Sequence, residues 1–145
     1  QHLDPNILSR TTKDKTGADM LENGNYIQTS ATHYGLVVDG ESYQQVMIPM
    51  AGTQLKKSRT WNSVMASIKV QSSAGKVFTP PSYSHMYKLT TVAESNDRGT
   101  WFGWNIELAG VLTEEQMFLY EAAKQFAGSI SFENSFGSAE SEAPF

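Results

Sequence analysis

The chain has 145 residues, a formal net charge of −4 and no cysteine. That length suits one domain with a single core, and the missing thiols exclude disulfides and thiolate metal sites. No apolar run reaches the roughly 18–20 residues of a membrane-spanning helix, and the polar N-terminal stretch lacks the apolar centre of a signal peptide, so a cytoplasmic location is expected.

Residues 1–25 read as an irregular lead-in, with turn chemistry at Asp4-Pro5-Asn6 and at Glu22-Asn23-Gly24-Asn25. Residues 26–32 are weakly strand-like. Residues 33–38 and 43–49 then form two apolar runs joined through Asp39-Gly40, a hairpin signal. The stretch 53–71 carries two periodicities. Trp61, Val64, Met65 and Ile68 have helical spacing, while Val64, Ala66, Ile68 and Val70 alternate as in a strand. A short basic helix or loop over 54–62 followed by a strand over 63–71 is expected. Ser73-Ala74-Gly75-Lys76 is a turn, and Pro80-Pro81 is a stiff connector that no central strand can contain.

Residues 85–94 and 100–108 are rich in β-branched and aromatic side chains. With Asn96-Asp97-Arg98-Gly99 between them, they give the clearest hairpin of the chain. The clearest helix spans 113–127. Thr113 and Gln116 have capping-box spacing, and Glu114 and Glu115 suit the positive end of the helix dipole. Leu112, Phe118, Leu119, Ala122, Ala123 and Phe126 make an apolar stripe, and Gly128 suits the stop. From residue 129 the composition turns to Ser, Glu, Gly and Phe, too poor in aliphatic side chains for a core element.

The fold class expected from this pattern is mainly β: a small OB-like Greek-key barrel of five or six strands, one C-terminal helix and a disordered acidic tail. An open α+β sandwich is the competing architecture. The domain is expected to end at residue 128, with a flexible tail over 129–145.

Charge is segregated along the chain. Between Glu41 and Glu94 there is no carboxylate, while Lys56, Lys57, Arg59, Lys69, Lys76 and Lys88 give that stretch a net charge of +6. A polyanion responds to this local potential and not to the whole-chain sum. Lys56-Lys57-Ser58-Arg59-Thr60-Trp61 sets three cations and two hydroxyls beside an indole, which suits a phosphate backbone with a base stacked nearby. In the run Thr100-Trp101-Phe102-Gly103-Trp104, strand geometry puts Trp101 and Gly103 on one face and Phe102 and Trp104 on the other. One face can offer a stacking ring, and Gly103 leaves space for a base or a backbone. Tyr83, Tyr87, Lys88 and Arg98 extend the same set.

The final residues, Glu140-Ser141-Glu142-Ala143-Pro144-Phe145, resemble the tip of bacterial single-stranded DNA-binding proteins, where acidic residues precede a hydrophobic residue, Pro and Phe. Two Glu stand here in place of an Asp run, and Ala in place of a bulkier aliphatic. The resemblance implies a partner-docking tail in which Phe145 enters an apolar pocket while Glu140 and Glu142 meet basic groups. The stretch 78–104 also resembles small phage proteins encoded near replication genes.

Sequence-independent binding of single-stranded DNA in phage replication or recombination is therefore expected. Replication or recombination proteins would be recruited through the tail, with a possible homo-oligomer and no membrane contact. The competing expectations are a phage structural or assembly module whose aromatic strands pair with copies of itself, and a host-interaction protein. His2, His33 and His85 are scattered, no glycine loop or nucleophile motif is present, and no metal, cofactor or enzymatic activity is expected.

Overall fold

A computed structural model describes the backbone of residues 6–141 and the side chains of residues 6–131. Nine strands and two α-helices follow in the order β1 (Thr12–Lys13), β2 (Asp19–Met20), β3 (Tyr26–Ile27), β4 (Ser30–Asp39), β5 (Ser42–Ala51), α1 (Leu55–Ser67), β6 (Val70–Gln71), β7 (Val77–Phe78), β8 (His85–Asn96), β9 (Gly99–Val111) and α2 (Met117–Ser141). Strand outweighs helix, 44% against 33%, so the fold is mainly β.

Two long hairpins dominate. In β4–β5 the register runs from Ser30 opposite Ala51 to Asp39 opposite Ser42. Gly40 opens the two-residue turn at φ +61°, and Glu41 keeps a negative φ. That is the geometry of a type II′ turn, which needs glycine first and matches the twist of the strands. In β8–β9 the register runs from His85 opposite Val111 to Asn96 opposite Gly99, with an irregularity between Met86 and Tyr87. The Asn96 side chain accepts the Arg98 N–H at 2.8 Å and shapes the turn.

The expected OB-like barrel is not formed. The strands make four separate antiparallel sheets of two or three strands, all between chain neighbours, and no sheet closes. Every pairing is a local hairpin, so no Greek-key crossover joins them. Residues 12–25, expected to be irregular, join Tyr26–Ile27, where a weak strand is expected, in a small three-stranded sheet. Its first turn is organised by Asp14, whose carboxylate accepts the Thr16 N–H at 2.7 Å and the Ala18 N–H at 3.0 Å. The Thr16 hydroxyl, which donates to the same carboxylate at 2.6 Å, and then these two N–H groups hold the Asp14 carboxyl down at about 2.

The strand expected over 63–71 is helix up to Ser67, with only Val70–Gln71 extended. The helical spacing prevailed because it turns Trp61, Val64 and Met65 inward together, all three half-buried, while Ile68, also half-buried, is the extended residue that ends the helix. The second helix opens as expected: the Gln116 side chain accepts the Thr113 N–H at 3.1 Å in a capping box. It does not stop at Gly128. Ala123, Phe126, Ala127 and Ile130 continue one half-buried stripe across that glycine, and a single Gly in a helix costs only about 1 kcal/mol. The domain boundary expected after residue 128 thus falls inside α2. The Glu140 side chain and all of Glu142, Pro144 and Phe145 lie outside the described residues, as do Asp4 and Pro5 of the first expected turn.

The core is thin. Among the described residues only Met50, Leu112 and Leu119 are buried hydrophobics, and fourteen large apolar side chains are exposed, Phe102 most of all at 76%. Between the two hairpins and α2 lies a cleft of about 740 Å³.

Candidate functional site

Helix α1 is the element expected to carry phosphate contacts, and its N-terminus is fastened to β9 and β8 by a polar node. The Glu94 carboxylate accepts from Trp101 Nε1 at 2.9 Å and Gln54 Nε2 at 3.1 Å, and pairs with Lys57 Nζ at 2.8 Å. Gln54 Oε1 accepts the main-chain N–H of Trp104 at 2.9 Å. Lys57, then Trp101 and Gln54, hold the Glu94 carboxyl below its ordinary 4.5. Gly103 makes the node possible, because a methyl there would overlap the Glu94 carboxylate and lie 2.8 Å from Gln54 Nε2. The space at Gly103 is therefore filled by the protein's own side chains and is not open to a base.

A folded-state carboxyl held low stabilises the fold above its ordinary range and loses that contribution as pH falls. The gap in melting temperature between the wild type and Glu94→Gln is therefore expected to be widest above about pH 5 and to shrink as pH drops below 4.5. Thermal unfolding followed by circular dichroism across pH 3–7 checks this; a constant gap would show that the charge of Glu94 contributes nothing.

A second cluster joins β4, α1 and β8. His33 stacks on Trp61 with ring centroids 4.4 Å apart, and Trp61 meets Tyr87 edge-on at 5.6 Å. His33 Nε2 lies 2.7 Å from Ser58 Oγ. Ser58 is 2% exposed, so the pair ties β4 to α1 and presents no attacking oxygen to a substrate. Burial lowers the His33 pKa and raises that of Tyr87. Trp61 Nε1 and Tyr87 Oη are buried without a hydrogen-bond partner among the described residues.

The residues expected to contact nucleic acid are thus dispersed in role. Lys56 and Arg59 are exposed on α1, with no ion pair among the described residues, while Lys57 is held by Glu94. Lys69 bonds Thr79 Oγ1 and the Ala66 carbonyl, and Lys76 is exposed at the β6–β7 turn. Lys88 is exposed directly opposite Glu107, and Arg98 sits at the tip of the β8–β9 hairpin. Tyr83 is half-buried edge-on against Tyr120 at 5.1 Å. Trp61, Trp101 and Trp104 are all half-buried. The ring open to solvent on β9 is Phe102, across the sheet from Trp101, which the charge pattern gave no reason to select. The node and the His33–Ser58 pair were also missed. Their one sequence signal is Glu94 itself, the first acid after the long basic stretch.

These features now have a family to sit in. The sequence profile of the Pam3 phage gp34-like protein family matches residues 4–135. The chain belongs to that family. The match takes in both hairpins, α1 and most of α2, so the polar node and the thin core lie within the family's domain. No curated protein and no solved structure matches the chain.

Proposed function

We propose that the chain is a phage structural or assembly subunit, one that buries its remaining apolar surface against other protein chains. The observation that carries this is its surface. The accessible area is 10978 Å², against about 7,400 Å² for a compact globular chain of this mass. Granting residues 1–5 and 132–145 the full area of an extended chain, about 3,000 Å², still leaves the rest about 1,300 Å² above a compact fold. Per partner, that is in the range of obligate interfaces. Tyr34, Tyr43, Met47, Phe102, Leu108 and Val111 are large apolar side chains exposed on the two hairpins, where an isolated monomer would leave them wet.

The purified chain at micromolar concentration is expected to sediment as a multimer, with a mass that changes little between low and high salt, since apolar burial is not screened. A monodisperse monomer at all concentrations would overturn this function. Binding of single-stranded DNA is the second possibility, favoured by exposed Lys56 and Arg59 on α1 and by the open ring of Phe102. It predicts quenching of Trp fluorescence by poly-dT that weakens steeply with salt. On the assembly function, no quenching is expected.

A further inference from the structure

Strand β4 differs from the other long strands in how its edge is treated. Among the described residues it pairs only with β5. Asp39 and Ser42 flank a two-residue turn and so form a hydrogen-bonded pair. Stepping back by twos along the register, the amides of Thr32, Tyr34, Leu36 and Val38 point away from β5. On β5 the matching outward position opposite Thr32 is Pro49, which has no N–H to offer and blocks pairing. Strand β8 carries Lys88 and Glu94, and β9 has α1 docked through the bond from Trp104 N–H to Gln54. From Ser30 to Val38, β4 has no charge and no proline, the devices that natural proteins use to keep a free edge single.

The surroundings of that edge are those of an interface. Six successive residues of β4, 33–38, line the 740 Å³ cleft. Four successive residues of β5, 46–49, line it too, so the cleft runs along this hairpin and takes in both faces of its strands. No Asp, Glu, Lys or Arg lines it, which fits an uncharged strand. Gly35 sits mid-strand with nothing within 4 Å of where a Cβ would be. The monomer gives no reason for a glycine there, whereas close approach of another backbone does.

We infer that β4 pairs antiparallel with β4 of a second copy across a two-fold axis, forming a four-stranded sheet β5–β4–β4–β5. This rests on the assembly function proposed above and names its contact. A second copy is the occupant that fits, because the uncharged run of β4 is its own complement in a two-fold pairing and the surplus area per chain suffices for an obligate dimer.

Sedimentation velocity combined with amide hydrogen exchange on the full chain tests it. The amides of Thr32, Tyr34, Leu36 and Val38 are expected to exchange on the order of a hundredfold more slowly in the associated protein than after dilution to monomer. Leu36→Pro removes one outward N–H without touching the β4–β5 ladder, as Pro49 does on the facing strand. It is expected to shift the protein to monomer with its circular dichroism intact. Should that proline unfold the chain, the double variant Thr32→Lys/Leu36→Lys, which places two cations along the edge, is expected to give the same folded monomer. A wild type that associates while those four amides exchange freely would overturn β4 pairing and leave the assembly function standing. So would folded variants that associate like wild type. A wild type that never associates would overturn both.

Discussion

Met50→Ala is expected to destabilise the folded chain by about 2–5 kcal/mol, the range for emptying a buried Met site. For a chain of this size that lowers the melting temperature by roughly 6–20 °C. The reason is the thinness of the core. Met50 is 0% exposed on β5, beside the chain's turn into α1, and it shares the buried apolar set with only Leu112 and Leu119 among the described residues. A domain with many buried side chains loses a small part of its core to one cavity, whereas here one of three is lost. Met47→Ala, on the same strand but 67% exposed, removes the same atoms from water-facing surface. It is expected to stay within about 0.5 kcal/mol in the monomer. Thermal unfolding of both variants by circular dichroism, at one dilution where the chain is monomeric, separates burial from composition. The concentration must be fixed, because association of folded chains raises the apparent melting temperature. Equal losses in the two variants would mean that Met50 is not part of a core.

How far the sequence revealed this molecule follows from the range over which each signal acts. The two long hairpins were legible because alternation and turn residues lie within one short stretch of chain, Ser30–Ala51 and His85–Val111: Gly40 supplies the positive φ and Asn96 the side-chain cap of its own turn. The capping box of Thr113 and Gln116 is equally local. Helix α1 was divided wrongly because Val64–Val70 satisfies both periods, and only contact with His33 and Tyr87, 28 and 26 residues from Trp61, favours the helix. The barrel was an inference from strand count. Strand count does not say whether hairpins pair with one another, and here they do not. The candidate residues are dispersed in role for a related reason. An acid-free stretch describes chain order, and in space Glu94 reaches back across 37 residues to Lys57 while Glu107 stands opposite Lys88. Exposure of the apolar faces was not visible at all, since an apolar alternation looks the same whether its partner is the same chain or another.

Gly103→Ala is the second large effect expected, at about 1–3 kcal/mol from overpacking, and it tests the polar node where the sequence suggested a docking space. The added methyl would overlap the Glu94 carboxylate oxygen, sit 2.5 Å from Glu94 Cδ and 2.8 Å from Gln54 Nε2. A free surface side chain would simply swing away. Glu94 cannot do so without releasing Lys57, Trp101 Nε1 and Gln54, and Gln54 cannot without leaving the Trp104 N–H. Overpacking and lost hydrogen bonds therefore act together, and the tie between α1 and β9 loosens. Two readouts follow: a lower midpoint in urea, and a shifted Trp emission as the Trp101 indole N–H loses its carboxylate partner. Gly35→Ala is the control, with both variants measured at a dilution where the chain is monomeric, since its methyl meets nothing within 4 Å of its own chain. The same urea midpoint for both variants would mean that Glu94 moves aside freely, and that the node is a loose surface contact with no part in holding the helix to the sheet.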